Sequence, residues 1–221
     1  MRFSLILCLL WMAPPTHATD SIDLAPLKRW IARQGEVKTV QADFTQTRAL
    51  RVLKDPLASP GQICFLAPDS FRWEVGNPVK AVVVRKGDTA YLIEPLKKRA
   101  QRFSAADLGK PSTMKRLPMV RFPLAKNFED FDRQFEVRTL TTEGTRCHVE
   151  LAPRDAQMQQ ALASLNLDFD TGNGYLLSFE VKTRDGSSLR NDFSNVRFNG
   201  KLDRTVFDYD LTGYEVTDAK N

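Results

Sequence analysis

Apolar residues along this chain keep two spacings, and the change from one to the other falls near Val40. Ahead of it, Ile22, Leu27, Trp30 and Ile31 share one side of a 3.6-residue repeat, Lys28, Arg29 and Arg33 fall elsewhere, and Gly35 supplies a stop. That spacing predicts one amphipathic helix. Beyond Val40 the period becomes two. Ile63 and Phe65 alternate with Gln62 and Cys64, Phe71, Trp73 and Val75 with Arg72 and Glu74, and Tyr91 and Ile93 with Leu92 and Glu94. The later runs are cleaner: Phe135 and Val137; Cys147, Val149 and Leu151; Leu165, Leu167 and Phe169; and Tyr175, Leu177, Phe179 and Val181. These patterns predict antiparallel strands with one wet and one dry face. Turn signals separate them at Pro68-Asp69, Asn77-Pro78, Lys86-Gly87-Asp88, Gly172-Asn173-Gly174 and Asp185-Gly186.

Two segments interrupt the alternation. Ser112 to Phe131 scatters Met114, Leu117, Met119, Phe122, Leu124 and Phe128 among Lys and Pro residues, which reads as short helices or a loop over the sheet. Asp155 to Ser164 reads as a short helix, with Met158 and Leu162 four apart. A large sheet must bury one face, and helices are the only cover available. The expected fold is α+β, mainly antiparallel β: one domain over residues 19–221, its sheet strongly curved, its helices on the concave side.

The first eighteen residues stand apart. Arg2, an apolar run from Phe3 to Ala13, Pro14-Pro15 and the small residues around Ala18 have the layout of a secretory signal peptide, with a cut expected between Ala18 and Thr19. The run is too short for a membrane anchor. The rest is expected to be soluble and to work outside the cytoplasm. There Cys64 and Cys147 could persist as a disulfide or stay as separate core residues. Net charge is +5, mildly basic and mixed along the chain, which excludes a nucleic-acid surface but permits an acidic partner or anionic lipid.

Chemistry motifs are missing. Beyond residue 18 there is one histidine, His148, and no G-x-S-x-G, C-x-x-C, H-E-x-x-H or phosphate loop. Gly109-Lys110-Pro111-Ser112 lacks the upstream glycine of such a loop. Asp168, Asp170 and Asn173 have the wrong order of donors for a calcium loop and read as a hairpin turn. No enzyme, metal or cofactor is expected. The basic run Lys97-Lys98-Arg99 with Arg102 is either a solvated edge or a docking surface for an acidic partner or lipid head groups.

Val40-Gln41-Ala42-Asp43-Phe44-Thr45-Gln46 resembles the opening strand of the LolA family of periplasmic lipoprotein carriers, where phenylalanine-threonine-glutamine follows the first helix. Later signatures are similar in order: Gly61, Pro68, Phe71-Arg72-Trp73, Gly87, Tyr91, Pro95, Leu151-Ala152-Pro153 and Asp185-Gly186. The resemblance runs from about Leu24 to Phe207. It implies a half-open barrel of about eleven strands whose helices close a hydrophobic cavity as a lid. It also implies a monomeric, non-catalytic carrier that takes acylated lipoproteins from an inner-membrane transporter to an outer-membrane receptor. A carrier of a non-protein lipid or glycolipid and a lipid-sensing regulatory binder stay open as alternatives. Alternation assigns the cavity lining to Phe65, Phe71, Trp73, Tyr91, Ile93, Phe103 and Phe179, and the lid side to Trp30, Leu117 and Met119. Two places depart from the family pattern. Ala67 stands where well-known members carry an arginine before the proline, and alternation turns Arg72 away from Phe71 and Trp73. The segment from Phe207 to Tyr214 lacks the family's proline-glycine turn, leaving Tyr209 and Leu211 as candidates for a last strand.

Overall fold

The computed structural model describes residues 22–108 and 127–219. Helix α1 (Ala25–Gly35) carries Pro26 in its first turn, where a missing N–H costs no hydrogen bond. Leu27, Trp30 and Ile31 form its buried stripe, while Ile22 lies ahead of the helix and is exposed. The strands are β1 (Thr39–Ala49), β2 (Leu57–Leu66), β3 (Ser70–Val75), β4 (Ala81–Lys86), β5 (Thr89–Glu94) and β6 (Arg99–Ser104), then β7 (Phe135–Glu143), β8 (Arg146–Pro153), β9 (Leu162–Asp170), β10 (Leu176–Thr183), β11 (Ser188–Phe198) and β12 (Glu215–Asp218). Among the described residues, three short α-helices, α2 (Ala105–Leu108), α3 (Phe128–Gln134) and α4 (Ala156–Ala161), interrupt them. Asn127 and Asp155 start α3 and α4 by accepting the N–H of Asp130 and Met158, each at 2.8 Å.

All twelve strands join one sheet in the order β12-β6-β5-β4-β3-β2-β1-β11-β10-β9-β8-β7. The end strands do not meet, so the sheet stays open. Pairing is antiparallel throughout except for β12, which lies parallel to β6. The expectation of about eleven strands is therefore one short. Tyr209 and Leu211 do not form the last strand either; it starts at Glu215.

The curvature can be read from two rings. β3 and β10 stand four strand positions apart, about 19 Å across a flat sheet. Yet Trp73 of β3 and Phe179 of β10 bring their ring centroids to 6.1 Å. The sheet is strongly curled, and these rings are on its concave face. That face has two centres. Leu27, Trp30 and Ile31 of α1 and Phe131 of α3 cover Val149, Leu151, Leu165, Leu167 and Phe169. Phe44, Ile63, Phe65, Phe71, Trp73 and Phe103 form the second. Phe179 and Phe193 pack against both and make the lining continuous.

The convex face of β4 to β6 is also dry. Val82, Val84, Ile93 and Ala100 pack with Phe207 beneath a strap that includes Leu202, Tyr209, Leu211 and Tyr214. Arg72 ties this strap down by donating to the carbonyls of Val206 (2.8 Å) and Asp208 (3.3 Å), and it lies 5.4 Å over the Tyr209 ring. Burial and the hydrogen bond with Tyr214 push the Tyr209 phenol up to about 12.

Candidate functional site

Phe44 and Gly61 face each other across β1 and β2. A Cβ on Gly61 would stand 2.2 Å from Phe44 Cζ, so only glycine lets the ring lie across β2. There it reaches Trp73, centroid to centroid 4.1 Å. Phe193 pairs with Phe44 from β11 and meets Phe44, Trp73 and Phe179 at 6.0, 6.2 and 6.0 Å. Four rings from four strands thus form one cluster; the contacts at 6.0, 6.1 and 6.2 Å fall in the range of favourable aromatic pairs, and Phe44 and Trp73 are closer still.

A polar pair interrupts this floor. Gln46 Nε2 donates to Asn191 Oδ1 at 3.1 Å, and both residues are buried. Asn191 Nδ2 and Trp73 Nε1 have no hydrogen-bond partner among the described residues. Beside the floor is an apolar recess of about 20 Å³ lined by Val40, Ala42, Ile63, Leu176, Phe193 and Phe198. It has room for about one water. Ligand pockets usually hold about 300 Å³ or more. This recess is far smaller than that.

The structure brings Phe65, Phe71, Trp73, Phe103 and Phe179 together on the concave side. It does not bring Tyr91 and Ile93 there. They pair with Val84 and Val82 and lie on the convex face under the strap. The residues of β5 that pack on the concave side are Ala90 and Leu92. Alternation gave the parity of β5 correctly but not which parity points inward, because both faces of that strand are dry.

Trp30 belongs to the helical cover, over the β8–β9 part of the concave face. It stacks on Phe169 with centroids 4.6 Å apart, and its indole donates to Gly174 O at 3.0 Å. Gln34 donates to the same carbonyl at 2.9 Å and Arg33 to Gly172 O at 2.8 Å. Gly174 takes a left-handed φ of 82° and lies against Arg33. Helix α1 is thus latched to the β9–β10 turn, and Trp30 sits with the β8–β9 centre, apart from the ring cluster. Leu117 and Met119 lie outside the described residues.

Sequence reasoning missed Phe44, Phe193, Gln46 and Asn191 as parts of the floor. Phe44 was visible as a family signature, but Phe193 and Asn191 sit in the polar run SLRNDFSNVRF, which has no strand-like alternation.

The basic run serves the chain itself. Arg99 pairs with Glu215 at 3.1 Å and Arg102 with Asp218 at 2.7 Å, so β12 supplies the acidic partner. Lys97 pairs with Glu94 at 2.6 Å, and Lys98 lies 4.7 Å over the Tyr214 ring. Arg99 and Arg102 thus face the last strand, β12, while their side chains stay exposed at this edge. Each exposed pair is weak alone.

Asp168 is the most heavily bonded acid. Burial pushes its carboxyl up, but hydrogen bonds from His148 (2.6 Å), Ser178 (2.8 Å) and Arg146 (3.1 Å) outweigh this and hold it at about 2. Ser178 bonds the carboxylate and not the imidazole, the wrong order for activating a serine nucleophile. Asp170 accepts from the N–H of Gly172 and Asn173, closing the hairpin turn the sequence indicated. Cys64 and Cys147 are both free and lie in separate apolar clusters, Cys64 with the convex one and Cys147 with the concave one.

Residues 35–210 match the family model described as outer membrane lipoprotein carrier protein LolA. The chain belongs to the LolA family. An outer-membrane lipoprotein carrier protein of Nitrosospira multiformis is 24% identical over 212 residues, covering 94% of this chain and 92% of the relative. An uncharacterized conserved protein of Thermus thermophilus has a similar fold, with a TM-score of 0.54, 10% identity, and coverage of 88% of this chain and 97% of that one. A chain of the Pseudomonas aeruginosa MucA/MucB complex gives a TM-score of 0.50 at 15% identity, covering 87% of this chain and 62% of that one. Against the usual LolA arginine, Ala67 here offers only its backbone N–H, bonded to Lys38 O at 2.8 Å. Arg72 is committed to the strap on the other face.

Proposed function

We propose that this LolA-family protein is a periplasmic carrier that holds the acyl chains of outer-membrane lipoproteins against its concave aromatic floor and moves them from the inner to the outer membrane. The single observation that carries this reading is the continuous concave lining, joined across the sheet by Trp73, Phe179 and Phe193. Burying one CH₂ gains about 0.8 kcal/mol, so a sixteen-carbon chain in water costs on the order of 13 kcal/mol. A lining of this kind offsets most of that. A bilayer offsets it equally well, so direction comes from a loading transporter and an accepting receptor. The floor's rings pack against one another, so cargo enters as they and the cover separate. The leader ending at Ala18 would deliver the chain to the periplasm, and the work requires no catalysis.

Ala67 favours a second reading, carriage of a non-protein lipid or glycolipid, since the arginine tie of well-known carriers is missing. Co-elution with a diacylated peptide, with a diacylated glycolipid as competitor, separates the two. Lipoprotein carriage predicts that the peptide co-elutes and resists the glycolipid. Phe179→Glu, at a half-buried position joining the two centres, is expected to lose the peptide while remaining folded.

A further inference from the structure

The connection between β1 and β2 has a surface that the fold does not use. Every residue from 50 to 58 is exposed. Val52 is 88% exposed, Leu57 51%, Leu53 44% and Leu50 37%. Between and beside them stand Arg48, Arg51 and Lys54, whose side chains have no ion pair or hydrogen bond among the described residues. Asp55 is the one acid from residue 48 to 57. The turn has a definite shape: Leu53 N–H donates to Leu50 O at 2.9 Å, and Arg51 N–H to Ser187 Oγ at 3.3 Å on the neighbouring β10–β11 turn.

We infer that this tip is a docking site for an anionic lipid surface. Val52, Leu53 and Leu57 enter the boundary between head groups and acyl chains, and Arg48, Arg51 and Lys54 meet lipid phosphates. Single exposed apolar residues are ordinary, but four within eight positions at the end of a hairpin are not. Apolar groups interleaved with unpaired cations match the bilayer interface, where both kinds of group gain on contact. A protein partner fits less well, because a stable protein interface covers about 800 Å² per side, far more than one narrow turn presents. The tip also lies at the rim of the concave face. Arg48 shares the side of β1 that carries Phe44 and Gln46, about 13 Å along the strand from Phe44. Docking by the tip therefore turns that rim toward the membrane. The inference does not depend on which cargo the floor holds.

The test is sedimentation of the secreted protein, as processed by the cell, with phosphatidylcholine vesicles made with and without phosphatidylglycerol. The wild type is expected to partition onto vesicles containing phosphatidylglycerol and to leave them as salt rises. Val52→Glu/Leu53→Glu should lower the partition coefficient by at least about tenfold. Arg51→Glu/Lys54→Glu should lower it by about tenfold on phosphatidylglycerol vesicles alone. Both pairs leave the thermal midpoint unchanged because they touch no core. Phe179→Glu should keep vesicle binding, which separates this site from the cargo floor. Wild-type protein that stays in the supernatant, or variants that sediment as well as wild type, would overturn the inference.

Discussion

Gln46 and Asn191 face each other across β1 and β11 and share a 3.1 Å hydrogen bond in the middle of the aromatic floor. Phe179 is the cross-strand neighbour of Asn191 on its other side. Each amide has left water, and one hydrogen bond offsets only part of that loss, since Asn191 Nδ2 stays unpaired. Asn191→Leu alone strands the Gln46 amide and is expected to lower stability by about 1–3 kcal/mol. Adding Gln46→Leu should recover most of it. Urea midpoints of the four proteins in the cycle measure this; a double variant worse than the sum of the singles would contradict it.

Gly61 is where the floor is least tolerant. Gly61→Ala forces the Phe44 ring away from Trp73, also meets the Glu74 carbonyl 2.5 Å from the new Cβ, and is expected to cost about 1–3 kcal/mol. Near-UV circular dichroism should show the aromatic signal falling before far-UV signal is lost. Shortening the obstructing ring with Phe44→Leu in the same chain should restore part of the stability.

Asp168 sets part of the acid limit. Its folded value, about 2, lies below the ordinary 3.8. Its contribution is therefore full above the ordinary value and disappears as pH falls through the folded one. Asp168→Asn should cost about 2 kcal/mol near pH 7 and flatten the stability curve between about pH 4 and pH 2. Urea midpoints across that range decide it: a curve as steep in the variant as in the wild type would assign the acid limit elsewhere.

Arg72 tests the strap. Arg72→Met removes the two bonds to Val206 O and Asp208 O. Limited proteolysis should then cut within residues 203–214 several times faster, while retention of an acylated peptide stays unchanged. Lost retention would instead place Arg72 in the cargo site.

The sequence made β3, β8 and β9 legible because apolar and polar residues alternate along each, although the polar Asn166 and Asp168 of β9 are buried as well. In β10 a register shift between Leu176 and Ser178 puts Leu176 in the core where alternation pointed to Leu177. Three strands were not legible. β4 buries Val82, Val83 and Val84 in succession because the strap covers its second face, and so shows no alternation. β6 is hidden by charges that pair with β12, and β11 by polar residues. The same two-sided burial misdirected the reading of Tyr91 and Ile93. Trp30 was legible as buried, but its bond to Gly174 joins positions 144 residues apart, which local pattern does not encode. Phe65, Phe71 and Trp73 were found because their strands point large rings to the side that the curl encloses.

The most direct test is native mass spectrometry of the protein purified from its own periplasm, released in the gas phase to identify what leaves it. The account predicts an acylated protein bound one to one, and its loss from the Phe179→Glu variant. Protein that carries no acyl chain of any kind, under conditions that keep a known lipid carrier loaded, would contradict it.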